Sequence, residues 1–497
     1  MGAKLNTVKR ILQFSIITVC LTGFLYQTIE FLSLYWTYPT VVDIQVSVPS
    51  EIQVPGITFC SSNGINPEVI CSMGNFCLDA RILKEANYCE DFPVMCVDKN
   101  VSSDFKAVTY NKFTTARDLN SSTMTMLRKP LTDFFSCKIT SGKAERSCKT
   151  EDAVMGSYFS SANIFNFCFT INSLWSQPDK EILKIRKSEK IEMEFYVDIS
   201  DGEKNIEDKT TLQMPKYSYP SAPSVQLVTH SPFLTASPFI TGHEFLAGKD
   251  YKIKLKQEES HLLPPPYQTN CTNYMAEWLA RRGEAPLNER MVVEECKFKN
   301  SMKEMKCVPF SIDYPHNETV CKYCKKCSNQ QLVEKCTMLQ QIYNQPCDFF
   351  TYTMDVEEKL IYFEQRVVAK SIGLDEKIVE KIKGHNCTSE KIWSKNCQTV
   401  RIELVFDDFE ITNLTYNPKY ESLELFSVIG GYMGMYLGVS IVAVYDFTEK
   451  ISVALFKFIK NRRAKKDKTK KHVFRIQLEK NESTLLSRSG TSLRRRQ

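Results

Sequence analysis

Ile429-Gly-Gly-Tyr-Met-Gly-Met-Tyr-Leu-Gly-Val-Ser440 is the stretch that decides how this chain is read. It sits in residues 425–445, a run of 21 residues without one charged side chain. About 20 residues are needed to cross the hydrocarbon of a bilayer as a helix. Gly430, Gly434 and Gly438 recur at steps of four, with Gly431 beside them. Small residues at such steps let helix backbones approach in lipid, which accounts for Gly430, Gly431 and Gly434 as packing residues. Gly438-Val439-Ser440 asks for more. Glycine there lets the helix open and expose carbonyl oxygens, which can replace the hydration shell of a cation. Asp446 follows and is either an acidic ring at the inner mouth or an ordinary interfacial charge. One such helix cannot enclose a pore, so several subunits have to surround an axis.

A second apolar run, residues 11–36, lies near the N-terminus, with Tyr35 and Trp36 as an interfacial belt. A cleaved signal peptide is the alternative, but no small-residue cleavage site follows. Lys4, Lys9 and Arg10 precede this run. Lys457, Lys460, Arg462, Arg463, Lys465 and Lys466 follow the other. By the positive-inside rule both termini are cytoplasmic. The division is a cytoplasmic N-terminus 1–10, a first span 11–36, an extracellular domain 37–423, a second span 424–446 and a basic cytoplasmic tail 447–497. With 25% charged residues in 497, a wholly membrane-embedded transporter is excluded.

The cysteines agree with this topology. There are 19, and apart from Cys20 they fall between Cys60 and Cys397, the region assigned to an oxidising space. Candidates for pairing are Cys60, Cys168, Cys271, Cys296, Cys307, Cys321, Cys324, Cys327, Cys336 and Cys347, with connectivity open. Cys321, Cys324 and Cys327 could instead bind zinc, but in this compartment disulfides are favoured and no metal is assigned. Glycosylation sequons begin at Asn100, Asn120, Asn270, Asn317, Asn386 and Asn413, all between the two runs. Strand patterns fall at residues 191–199, 224–229, 251–255 and 400–411, where Ile402, Leu404 and Phe406 alternate with Arg401, Glu403 and Asp407. Helices are expected over 272–282, 330–343 and 355–369. The fold class is two transmembrane α-helices flanking a large disulfide-rich α+β extracellular domain.

Enzyme chemistry finds no foothold. There is no Gly-x-Ser-x-Gly elbow, phosphate loop, dinucleotide fingerprint or HExxH, and the six histidines are scattered. No enzyme, cofactor or nucleic-acid partner is expected.

The stretch 429–440 resembles the second-span signature of the degenerin/epithelial sodium channel family, which ends in a Gly/Ser-x-Ser selectivity filter. Val54-Pro-Gly-Ile-Thr-Phe-Cys60 is similar to the family's segment after the first span. Asn166-Phe-Cys-Phe-Thr-Ile-Asn172 resembles its Gly-x-Cys-x-x-Phe-Asn stretch, with Asn166 and Ile171 as departures. Leu262-Leu-Pro-Pro-Pro-Tyr-Gln-Thr-Asn-Cys271 resembles the loop that contacts the top of the spans, with Tyr267 at its aromatic position. Cys296, Cys307-Val-Pro-Phe310 and Gln345-Pro-Cys347 follow the family's cysteine order.

The resemblance implies a trimeric channel architecture, a homo- or heterotrimer with related subunits in the plasma membrane. It implies sodium as the permeant ion, block by amiloride, and Gly438, Val439 and Ser440 as the filter. Ser427 stands at the gating position where bulky substitutions hold family channels open, and Asp446 at the acidic position inside the filter. Two features depart from the pattern. The family's cytoplasmic His-Gly motif has no counterpart, since no histidine precedes His230. That leaves an incomplete N-terminus, different gating, or a subunit that works only beside others. Val428 stands where many members carry Asp. The function expected is a subunit of a sodium-selective, non-voltage-gated channel. Its stimulus is open, an extracellular ligand included. The alternatives are an ATP-gated two-span trimer and a non-conducting or regulatory cysteine-rich receptor subunit.

Overall fold

The computed structural model describes residues 2–61, 65–73, 76–85, 87–91, 103–108, 126–159, 165–197, 216–218, 223–309, 312–316, 318–319, 321, 330–368, 375–387, 394–438, 448–460 and 462. The chain divides into two compact units, Thr40–Asn417 and a pair of terminal segments, Met1–Pro39 with Pro418–Gln497.

The two largest sheets build the core of the larger unit. The first has the strand order Asp348–Glu358, Lys249–His261, Thr399–Pro418, Lys190–Tyr196, Phe135–Ser141, Ala144–Ser147, and Thr40–Ser47 also pairs with Thr399–Pro418. The second runs His243–Leu246, Ser224–His230, Gly56–Ser61, Phe165–Ile171, Val154–Phe159. Their apolar faces meet in one core. Ile57, Phe59, Leu227 and Phe245 come from one sheet and Phe195, Ile253, Ile402 and Leu404 from the other. The Phe59 ring lies 4.4 Å from Phe135 and 5.0 Å from Phe195, in the tilted and edge-on arrangements aromatic pairs prefer.

The longest strand shows why the sequence folds this way. Ile402, Leu404 and Phe406 are buried, while Arg401 and Glu403 between them are half-buried. Period-two alternation therefore turns one face to the core. The strand runs beyond the expected residue 411 to Pro418 by way of a bulge. Asp408 and Phe409 take φ of 49° and 55°, and the parallel register with Lys249–His261 shifts between Leu255 and Gln257. The bulge keeps Phe409 buried, its ring 6.2 Å from that of Phe406.

The helix expected over 355–369 is corrected to β-structure. Asp348–Glu358 and Leu360–Val368 are strands, the first paired with Lys249–His261 over eleven residues. Charged residues between the apolar ones mimicked a helical period. Instead Tyr352, Met354 and Val356, two apart, pack onto the core. Expected helix 272–282 is present as Met275–Ala280, and 330–343 as Gln330–Thr337 followed by a 3-10 turn, Met338–Gln341. The 17-residue helix Glu289–Met305 was not expected. Asn288 caps it, its carboxamide oxygen accepting from the Met291 N–H at 2.8 Å, and Lys306 ends it in the left-handed region.

Seven disulfides join described residues: Cys60–Cys168, Cys71–Cys77, Cys137–Cys148, Cys271–Cys347, Cys296–Cys336, Cys307–Cys321 and Cys387–Cys397. Cys60–Cys168 links adjacent strands of the second sheet, and Cys296–Cys336 links helices Glu289–Met305 and Gln330–Thr337.

In the smaller unit, the helix Gly2–Tyr35 contains a stretch, Arg10–Tyr35, long and apolar enough to cross a membrane. Ile11, Phe14, Ile17, Val19, Tyr26 and Ile29 on it are exposed, as a lipid-facing surface requires. It packs against the helix Ser422–Leu437. At one end of this pair the Lys419 N–H donates to the Pro39 carbonyl at 2.8 Å, and the Phe31 and Tyr420 rings meet edge to face at 5.3 Å. At its start Ser422–Leu437 carries an acidic first turn, with the Glu421 N–H donating to the Glu424 carboxylate at 3.3 Å. Residues 448–460 are helical again.

Candidate functional site: the glycine face of the second span

The helix Ser422–Leu437 covers the first part of the uncharged run 425–445. The helix ends at Leu437, and Gly438 takes φ 63° and ψ 19°, a left-handed cap whose N–H donates to the Gly434 carbonyl at 3.1 Å. Left-handed backbone costs an L-residue with a Cβ roughly 1–2 kcal/mol, and glycine escapes that cost. The break therefore falls on the residue that opens the expected filter. Past such a cap the last carbonyls of a helix have no intrahelical donor.

Two faces of Ser422–Leu437 have different fates. Leu425, Ile429, Tyr432 and Tyr436, at steps of four, three and four, are half-buried on the side of the first span. Ser427, Gly431, Gly434 and Gly438 follow the same steps two residues later, which places them on the opposite side. All four are exposed. A Cβ built at Gly431, Gly434 or Gly438 would meet nothing within 4 Å. Gly431 and Gly434 therefore do not pack on the helix Gly2–Tyr35, which lies on the other face. Gly430 is half-buried.

The close approach between the spans occurs elsewhere. A Cβ at Gly23 would lie 2.9 Å from Cε1 of Tyr436. One turn further along the first span, Gln27 Oε1 and Thr28 Oγ1 are shielded and have no hydrogen-bond partner among the described residues. A lone glycine in residues 11–36 was the sequence signal for this seam. The free Cys20 is half-buried on the same helix.

Val439, Ser440 and Asp446 lie outside the described residues, as do Cys324, Cys327, Asn100, Asn120 and Asn317. Cys321 is bound to Cys307, and no cluster able to hold a metal occurs among the described residues. Asn270 and Asn386 are exposed, and Asn413 is half-buried on the long strand. Tyr267 is half-buried in the turn after Lys249–His261, where its N–H donates to the Pro264 carbonyl at 3.3 Å.

The larger unit holds two titratable groupings that sequence reading missed. His230 is buried. Its Nδ1 donates to the Ser231 carbonyl at 2.8 Å, so Nε2 accepts from Thr58 at 2.8 Å, and Thr58 is 2.7 Å from Thr170. Burial drops its pKa to about 4, against a small opposing effect of the Ser231 carbonyl. On the helix Glu289–Met305, burial pushes the Glu295 carboxyl up. Hydrogen bonds from Arg281 and Lys299 outweigh it and leave the carboxyl below its ordinary value. Asp313 shows the opposite balance. Burial raises it, Arg290 at 2.9 Å pulls it down, and Glu294 raises it again.

The family model described as "Amiloride-sensitive sodium channel" matches residues 2–449. Among solved structures, the cryo-EM structure of a proton-activated chloride channel is similar at 9% identity and a TM-score of 0.30, over 90% of this chain and 98% of that one. None of the curated proteins matches the chain. A family model that runs from the helix Gly2–Tyr35 past the helix Ser422–Leu437 covers the glycine break and the disulfide-linked sheets together, and the chain belongs to the amiloride-sensitive sodium channel family.

Proposed function

We propose that the chain is a subunit of a sodium-selective, amiloride-blocked, non-voltage-gated cation channel of the plasma membrane, with both termini cytoplasmic. One observation carries the reading. The second span breaks at Gly438 on the same exposed face that bears Ser427, Gly431 and Gly434. A helix end facing lipid would leave carbonyls without donors, so that face belongs against water or another subunit. Three such faces around an axis make a narrow carbonyl-lined constriction of the kind that strips and passes a cation. Val439 and Ser440 complete the filter in this reading, and Asp446 draws cations at its inner mouth.

The test is a recording. The chain is expressed alone and with related subunits, external sodium is exchanged for potassium, and amiloride is added. The expected result is an inward current that falls on exchange and is blocked. Replacing Ser427 by phenylalanine on the open face should give a large resting current that amiloride still blocks. Surface-expressed protein that passes no current in any combination would sink the reading.

A further inference from the structure

We propose that Gly23 and Tyr436 form a positioning contact that sets the height and rotation of Gly438 in the filter. The inference rests on the channel reading above. One edge of the Tyr436 ring occupies the space beside Gly23. A Cβ there would meet three of its atoms, at 2.9, 3.3 and 3.5 Å. Tyr436 is two residues before the left-handed Gly438, whose N–H is tied back to Gly434. Whatever holds Tyr436 therefore holds the break.

Among the described residues, no hydrogen bond or ring pair joins the two helices near the break. On the opposite face, a Cβ at Gly431, Gly434 or Gly438 would meet nothing within 4 Å among the described residues. The remaining anchors, Lys419 to Pro39 and Tyr420 to Phe31, sit at the far end of the helix pair. Midway, the oxygens of Gln27 and Thr28 offer polar atoms but find no partner among the described residues. A helix that packs along one face, through Leu425, Ile429 and Tyr432, has its last turn placed by the last contact on that face. Here that contact is a ring on a glycine, which fits only while the glycine stays small.

The experiment is a volume swap with three variants: Gly23→Leu, Tyr436→Ala, and the two together. Surface biotinylation accompanies each recording. Gly23→Leu is expected to reach the surface but to lower the sodium-to-potassium permeability ratio several-fold, read from the reversal potential. Tyr436→Ala is expected to do the same through the opposite fault. The double variant should recover most of the ratio, because the leucine fills the space the ring left. Tyr436→Phe keeps the ring and should behave as the parent. Unchanged selectivity in Gly23→Leu, or no recovery in the double variant at normal surface level, overturns the proposal. A second measurement needs no current. In a Cys20→Ser background, Gly23→Cys and Tyr436→Cys are oxidised after a protease site is placed at residues 48–50. A covalent link between the cleaved fragments supports the contact even if the channel reading fails. Its absence overturns the contact even if the channel conducts.

Discussion

At the scale of single residues, Gly438 and His230 are each defined by what they exclude. Gly438 adopts a backbone conformation that costs a residue with a Cβ roughly 1–2 kcal/mol. Among the described residues a Cβ there meets nothing within 4 Å, so the backbone conformation is the constraint. Gly438→Ala is therefore expected to shift the break and reduce sodium selectivity at near-normal surface expression. Gly438→Asn, which tolerates the left-handed region, should lose less, and reversal potentials rank the two. His230 excludes a proton. Its neutral ring is bonded at both nitrogens, and its pKa falls from 6.5 to about 4. Between those values the unfolded chain binds a proton that the folded chain refuses, so stability falls as pH drops through that window and is unaffected above it. A shift of this size corresponds to roughly 3 kcal/mol at full development. The thermal midpoint of the detergent-solubilised chain should fall between pH 7 and pH 5, and His230→Gln should flatten that slope while lowering the midpoint at pH 7. An equal slope in the variant would place the pH dependence elsewhere. Neither role could be read from the sequence in full. Gly438 announced itself by its place in a glycine series, but a histidine carries no mark of burial until the strands Gly56–Ser61, Phe165–Ile171 and Ser224–His230 are aligned.

Elements read best where one period dominated. Residues 400–411 alternated cleanly and form part of the longest strand, and in the uncharged run 425–445 the glycine at 438 marked where the helix opens. Residues 355–369 failed because charges and apolar residues fit two periods at once, and pairing with Lys249–His261 decided between them. The helix Glu289–Met305 was hidden by its own composition. Its inward face carries Glu294 and Glu295 beside Met291 and Val293, so it lacks a clean apolar stripe. Those carboxylates are tolerable only because cations reach them, Lys297 at 2.7 Å from Glu294 and Lys299 at 2.9 Å from Glu295, with Arg281 bonded to Glu295 as well. Removing Arg281 leaves Glu295 with Lys299 and the Tyr314 hydroxyl, at 3.3 Å, in a largely shielded site. Breaking a fully buried pair costs about 3–5 kcal/mol, and Arg281 is one-third exposed, so Arg281→Ala should cost about 1–3 kcal/mol. The Glu295 pKa is depressed, so its contribution is present above the ordinary glutamate range and lost as pH falls through the folded value. The penalty of Arg281→Ala on the thermal midpoint should therefore be full at neutral pH and shrink in acid. A penalty that grows in acid would contradict the assignment.

For the whole molecule, the open glycine face is an unfinished surface. Exposed glycines bring the backbone of the second span to the outside of the chain, and the break at Gly438 adds carbonyls with no intrahelical donor. In hydrocarbon such groups must be satisfied within protein or by water, so a single chain in a bilayer is incomplete. A closed ring of copies resolves this, since the face that is open in one copy then lines a shared axis. Whether that ring has three members can be counted without a structure of the assembly. Gly431→Cys, made in a Cys20→Ser background, places a thiol on the open face. A charged thiol reagent applied from outside should then abolish the current, whereas Leu425→Cys on the face toward the first span should be spared. If one modified subunit blocks the pore, mixing parent and Gly431→Cys chains leaves a reagent-resistant current equal to the parent fraction raised to the number of subunits. A cubic dependence is expected. A square or fourth-power dependence would keep the pore-lining face and replace the trimer, and a linear one would mean that each chain carries its own pathway, which a lone break at Gly438 cannot enclose.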